Sequence, residues 1–190
     1  MKNRIRLGVK TDHWATVRNA RGDNYPSPRK AARVAESYGA DSVTIHLRED
    51  RRHINDQDLK KILLHLKIPV NLEIAATKEM LSIALKHKPP FICIVPEQKK
   101  EITTECGLNL DHKTHFLKKI IFKLKKNKSR VSLFIEPKIN DINKAKKLNV
   151  DSIELHTVKI CKLINKGKPY KNEIKKIKKE KIQANKLKLK

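Results

Sequence analysis

Short apolar, β-branched runs alternate with longer amphipathic stretches along this chain, so periods of two and of 3.6 follow one another. The runs read as strands at Ile5 to Thr11, Ser42 to His46, Val70 to Ile74, Phe91 to Val95, Val131 to Ile135 and Ser152 to His156. Helix-like stretches lie between and after them: Pro28 to Ser37, Asp56 to Leu66, Lys78 to His87, Lys113 to Lys126, Asn140 to Leu148 and Asn172 to Leu187. Asn55 and Thr77 are predicted N-caps, because their side-chain oxygens can accept from free amides in a first helical turn. Strands this continuously apolar are covered on both faces, and parallel neighbours need crossover helices. The pattern therefore predicts an α/β fold with a parallel sheet inside helices. No G-x-G-x-x-G or P-loop follows the first strand, which favours a (β/α)-barrel over a dinucleotide-binding fold.

Composition narrows the classes. At 190 residues and 38% hydrophobic, the chain fits one domain spanning residues 1–190. No apolar run approaches the ~18 residues of a membrane span, and no apolar stretch follows the basic start to make a secretory signal. A cytoplasmic protein is expected. Cys93, Cys106 and Cys161 form no C-x-x-C pair, so neither a disulfide framework nor a zinc ribbon is indicated.

The net charge of +25 raises the question of nucleic acid. Residues 1–111 hold 20 basic against 14 acidic side chains, whereas 112–190 hold 25 against 6. That excess is mostly Lys on helix-like stretches, without the Arg and aromatic platforms of sequence readers. No specific nucleic-acid partner is expected. Residues 171–190 read as a Lys-rich terminal helix or tail, with Ile174, Ile177, Ile182 and Leu187 as its apolar stripe.

Ionisable side chains gather where the strands end: Asp12 and His13, His46 and Arg48, Glu73, Glu97, Glu136, then Glu154 and His156. In a parallel barrel the carboxyl ends of the strands share one rim, so these positions are candidates for an active site. Thr16 to Pro26 reads as a polar loop whose guanidinium groups, Arg18 and Arg21, could grip a phosphate. The run from His46 to His53 sets two imidazoles among three Arg and two acids, a place for proton exchange beside a bound anion. A metal reading of His13, His46, His53 and Glu73 is weaker, since no H-E-x-x-H or H-x-H spacing is present and nearby Arg repels a dication.

These residues resemble a known family. Gly8-Val9 with Asp12-His13, Arg18-Asn19-Ala20-Arg21-Gly22, His46-Leu47-Arg48-Glu49-Asp50-Arg51-Arg52-His53-Ile54, Asn71-Leu72-Glu73, Val95-Pro96-Glu97, Thr103-Thr104-Glu105 and Val131 to Ile135 look like the pyridoxine 5'-phosphate synthases, from residue 5 to about 157. The resemblance implies a cofactor-free, cytoplasmic, octameric (β/α)8 TIM-type barrel. It implies condensation of 3-amino-2-oxopropyl phosphate with 1-deoxy-D-xylulose 5-phosphate into pyridoxine 5'-phosphate, phosphate and water. Carried over by position, His46 and Glu73 become proton acceptors and Glu154 steadies the transition state. Asp12, His13, Arg48, His53 and Thr103 hold the deoxyxylulose phosphate, and Arg21 the amino-ketone phosphate.

The departures are specific too. Lys10 stands where the family has an Asn, and Val158-Lys159-Ile160 replaces a glycine-containing loop. Gln183 to Lys190 looks like the approach to strand seven, and the family's later N-A-G-H-G-L motif with its proton donor does not follow. The barrel is accordingly expected to be incomplete, with about six of eight βα units, and activity of this chain is in doubt. The alternative is an inactive remnant that binds sugar phosphates or a partner subunit without turnover.

Overall fold

The computed structural model describes residues 4–97, 106–111 and 114–190. Six strands take sheet positions in chain order, β1 (Gly8–Lys10), β2 (Ser42–His46), β3 (Val70–Ala75), β4 (Phe91–Val95), β5 (Arg130–Ile135) and β6 (Ser152–Leu155). The β1/β2, β2/β3 and β5/β6 pairs are parallel, with helices between successive strands. This is the fold of an incomplete (β/α)8 TIM-type barrel. By residue contacts the chain divides into two compact units, 1–92 and 93–190.

In the first unit, Val43, Ile45, Leu72 and Ile74 are fully or nearly fully buried, as strands covered on both faces require. β1 is shorter than its apolar run. Ile5 and Leu7 are 94% and 56% exposed, yet the Leu7 carbonyl still accepts from the amides of Asp41 and Ser42. Helices α2 (Pro28–Ser37), α3 (Asp56–His65) and α4 (Lys78–His87) stand where the periodicity put them. Asn55 caps α3 reciprocally with Asp58, and the Thr77 hydroxyl accepts from the Met80 amide at the start of α4.

The predicted polar loop after the first strand is instead a helix, α1 (Asp12–Arg21). Asp12 in its first turn and Arg18 and Arg21 in its last suit the helix dipole. It stops at Gly22, whose φ of 66° closes a Schellman turn: Gly22 N–H donates to the Asn19 carbonyl and Asp23 N–H to that of Arg18. A weak apolar pattern, with only Ala15 and Asp12 buried, hid this helix from the periodicity.

In the second unit, α5 (Thr114–Lys126) lays Leu117, Ile120, Ile121 and Leu124 into the core, and α6 (Ile139–Lys147) buries Ile142 and Ala145. A helix unforeseen in the sequence, α7 (Val158–Asn165), follows β6 and buries none of its residues. The Lys-rich end is helical, α8 (Lys171–Lys186), and of the expected stripe Ile174, Ile177 and Leu187 are half-buried while Ile182 is not part of it. Glu180 and Ala184 are its buried residues, Ile182 is 55% exposed, and Gln183 donates to the Asn143 side chain on α6. Beyond it Leu189 is buried, and Lys190 exchanges main-chain hydrogen bonds with the β6 neighbourhood, accepting from Ile153 N–H and donating to Asp151.

Candidate active site

The parallel register places His46, the last residue of β2, directly opposite Glu73, which lies within β3 and not at its expected end, since Ile74 and Ala75 continue the strand. Their side chains meet, with His46 Nδ1 3.5 Å from Glu73 Oε2, and both are almost wholly buried. Asp12, the first residue of α1, joins them from β1's side. Its Oδ1 accepts from the His46 backbone amide at 2.7 Å, so one carboxylate fixes the strand end that carries the imidazole.

Asp12, His46 and Glu73 present ligand atoms within 4.8 Å of one another, close enough to hold a cation. The cation there is a side chain. Lys10 reaches from β1 to hydrogen-bond Glu73 Oε2 and lies 3.2 Å from Asp12 Oδ2. Burial works against its charge, but the Glu73 and Asp12 carboxylates outweigh that and hold the ammonium above the ordinary lysine range. The cluster is thus ion-paired internally, which argues for proton chemistry at Glu73 and His46 rather than a metal centre.

His53 is tied to the same corner. Its Nδ1 lies 2.7 Å from the Thr16 hydroxyl, and that hydroxyl reaches the Asp12 carbonyl one turn back in α1. If Thr16 donates to that carbonyl, His53 Nδ1 carries the proton and Nε2 is the accepting nitrogen. Burial pushes the His53 imidazole below its ordinary value; Asp12 opposes this, while His13, His46 and Arg48 add to it. His13 is exposed, with its ring centroid 6.0 Å from that of His53.

The arginines divide into four groups. Arg48 is 3% exposed and hydrogen-bonds Asp50, which also accepts from Arg52. Burial alone would raise the Asp50 carboxyl, but Arg52 and Arg48 outweigh it and hold the group far below the usual carboxylate range. Arg51 turns away to Asp56 and Glu79. Arg18 donates to Asp58 at 2.6 Å and to Asn19. Arg21 lines a groove of about 420 Å³ with His13, Trp14, Val17, Tyr25 and Pro26.

Of the expected site residues, Asp12, His13, Arg21, His46, Arg48, His53 and Glu73 all lie in the first unit. Thr103 falls outside the described residues. Glu154 belongs to the second unit, half-buried on β6 and opposite Phe134 in register. That unit has its own carboxylate–imidazole pair: Glu136 Oε1 is 2.9 Å from His156 Nδ1 and accepts from Gly107 N–H. A side chain at Gly107 would come within 2.2 Å of the Glu136 amide nitrogen, so this position needs glycine. Two contributors escaped the sequence reading. Thr16 was hidden in the supposed loop, and Lys10 stood out only as a departure from the family, its spacing to Asp12 giving no sign of the pairing.

Residues 7–190 match the family model described as "Pyridoxal phosphate biosynthesis protein PdxJ". The chain is 56% identical over 174 residues to the pyridoxine 5'-phosphate synthase of Pelagibacter ubique, covering 92% of this chain and 73% of that protein. It is 51% identical to the Ehrlichia chaffeensis synthase and 52% identical to that of Zymomonas mobilis, covering 83% and 87% of this chain. The chain spans only 66% and 64% of the length of those two relatives. Among solved structures, a mandelate oxidase aligns with a TM-score of 0.54 at 11% identity, over 79% of this chain and 55% of that one. An N-acetylmannosamine-6-phosphate 2-epimerase from Clostridium perfringens aligns at 0.51 and 16%, over 78% and 60%. These two likenesses concern the fold alone.

Proposed function

Since the chain belongs to the PdxJ family of pyridoxal phosphate biosynthesis proteins, we propose that it takes part in condensing 3-amino-2-oxopropyl phosphate with 1-deoxy-D-xylulose 5-phosphate to give pyridoxine 5'-phosphate, phosphate and water. The observation that carries this reading is the buried His46–Glu73 pair on adjoining strands, with Asp12 fixing the His46 main chain.

Joining an amine to a ketone, eliminating phosphate and closing the ring each require protons to be taken up and returned. A carboxylate and an imidazole side by side suit that work near neutral pH. In this reading His46 and Glu73 accept protons. Asp12, His13, Arg48, His53 and Thr103 hold the deoxyxylulose phosphate, and Arg21 holds the phosphate of the amino-ketone. Glu154 stabilises cationic imine character as it develops, by Coulomb attraction in a site that excludes water. Assembly into homo-oligomers and a cytoplasmic location are part of the same proposal. Among the described residues no helix is long and apolar enough to cross a membrane.

The test is a two-substrate condensation assay on the purified chain, following pyridoxine 5'-phosphate, with His46→Ala alongside. Product that disappears in the variant supports the reading. Binding of deoxyxylulose phosphate without any product from folded protein would overturn it in favour of a binding remnant.

A further inference from the structure

We infer that Lys10 is a positioning residue: its ammonium, seated on Glu73 and Asp12, offsets the two carboxylates and holds Glu73 beside His46 as a proton acceptor. The inference deepens the proposed function and rests on it for its catalytic meaning, while its geometry stands apart from any turnover.

The Asp12 side chain is 2% exposed and that of Glu73 9%. Two carboxylates this close and this poorly hydrated cannot both remain charged cheaply without a cation between them. Lys10 supplies one. It hydrogen-bonds Glu73 through the same Oε2 that lies 3.5 Å from His46 Nδ1, so the ammonium and the imidazole approach one carboxylate oxygen. Among the described residues, the charged and titratable groups shown against Glu73 are Lys10 from β1 and His46 from β2, with Asp12 from α1 sharing Lys10; His53 in turn feels Asp12, His46 and Arg48.

The Lys10 side chain is 42% exposed, so its stem opens toward solvent while its tip is fixed by ion pairs. A side chain held in this way can give up its contact to a substrate ammonium and recover it afterwards. The resemblance places a neutral Asn at this position, which could orient a ligand but could not offset two carboxylates. This chain thus carries at this position a charge that an Asn would not supply.

The experiment compares wild type, Lys10→Met and Lys10→Arg by following the histidine ring-proton NMR signals through a pH titration. His46 reports the cluster through its contact with Glu73. With Lys10→Met, proton uptake by the cluster should move to higher pH by about 1–3 units, the range that an opposite charge at this distance supports. With Lys10→Arg it should stay near the wild-type value. Coincident titration curves for wild type and Lys10→Met would overturn the inference, as would an equal shift in Lys10→Arg. Lys10→Gln gives the same reading should Lys10→Met not fold. Because the readout needs no product, an inactive chain would sink the proposed reaction and leave this inference to its own result. In an active chain, the acid limb of the kcat/KM profile should move with the NMR curve.

Discussion

The Asp12 carboxylate holds His46 by the main chain, accepting its backbone amide at 2.7 Å across 34 residues of sequence. The imidazole's position is therefore set by where α1 begins relative to the end of β2. Packing around the ring alone would leave that amide without its partner.

Asp12→Ala leaves the buried His46 amide without this acceptor and takes one carboxylate from Lys10. A loss of about 1–3 kcal/mol is expected. Asp12→Asn keeps an accepting oxygen and should lose less. Urea unfolding of the two variants beside wild type checks the order; equal stability of Asp12→Ala and wild type would refute it.

Stability should fall as pH drops through the ordinary histidine value of 6.5, and His53 should contribute to the fall. Its folded value is lowered, so between that value and 6.5 the unfolded chain binds the extra proton. The contribution is complete above 6.5 and is lost as pH falls toward the folded value. Denaturant midpoints measured across this range should show a shallower slope for His53→Gln than for wild type.

Glu180→Gln should stabilise the protein at neutral pH, because it removes a charge that burial disfavours. Glu180 is 3% exposed, its Oε2 has no hydrogen-bond partner among the described residues, and burial raises its carboxyl above 4.5. A raised acid favours folding below its unfolded value and loses that advantage as pH rises through its folded one. The difference between variant and wild type should accordingly vanish below pH 4.5. A constant gap at every pH would contradict the burial argument.

The legible parts of this fold were those with strong periodicity. β2 and β4 match their apolar runs end to end, and the caps Asn55 and Thr77 work as their chemistry requires. The weakly amphipathic α1 was hidden, and with it the Thr16 support under His53. α8 was legible in part. Ile174, Ile177 and Leu187 are half-buried along one face with Glu180 and Ala184, whereas Ile182 falls off that face at helical spacing and is exposed. His46 and Glu73 were legible as neighbours because parallel register sets the last residue of β2 beside this position of β3, although β3 runs on to Ala75. The role of Lys10 was not legible, since a lysine at the end of a short strand ordinarily points to water.

The clamp of Arg48 and Arg52 on Asp50 has a kinetic meaning. Arg48 is fixed during folding, so it has little rotamer freedom left to surrender when it meets an anion. The rate of encounter is governed by diffusion and by the net charge of +25, which one loosened ion pair barely alters. If Arg48 holds the substrate phosphate as proposed, the clamp bears on departure: a chain without Asp50 should meet phosphate esters about as often and release them sooner.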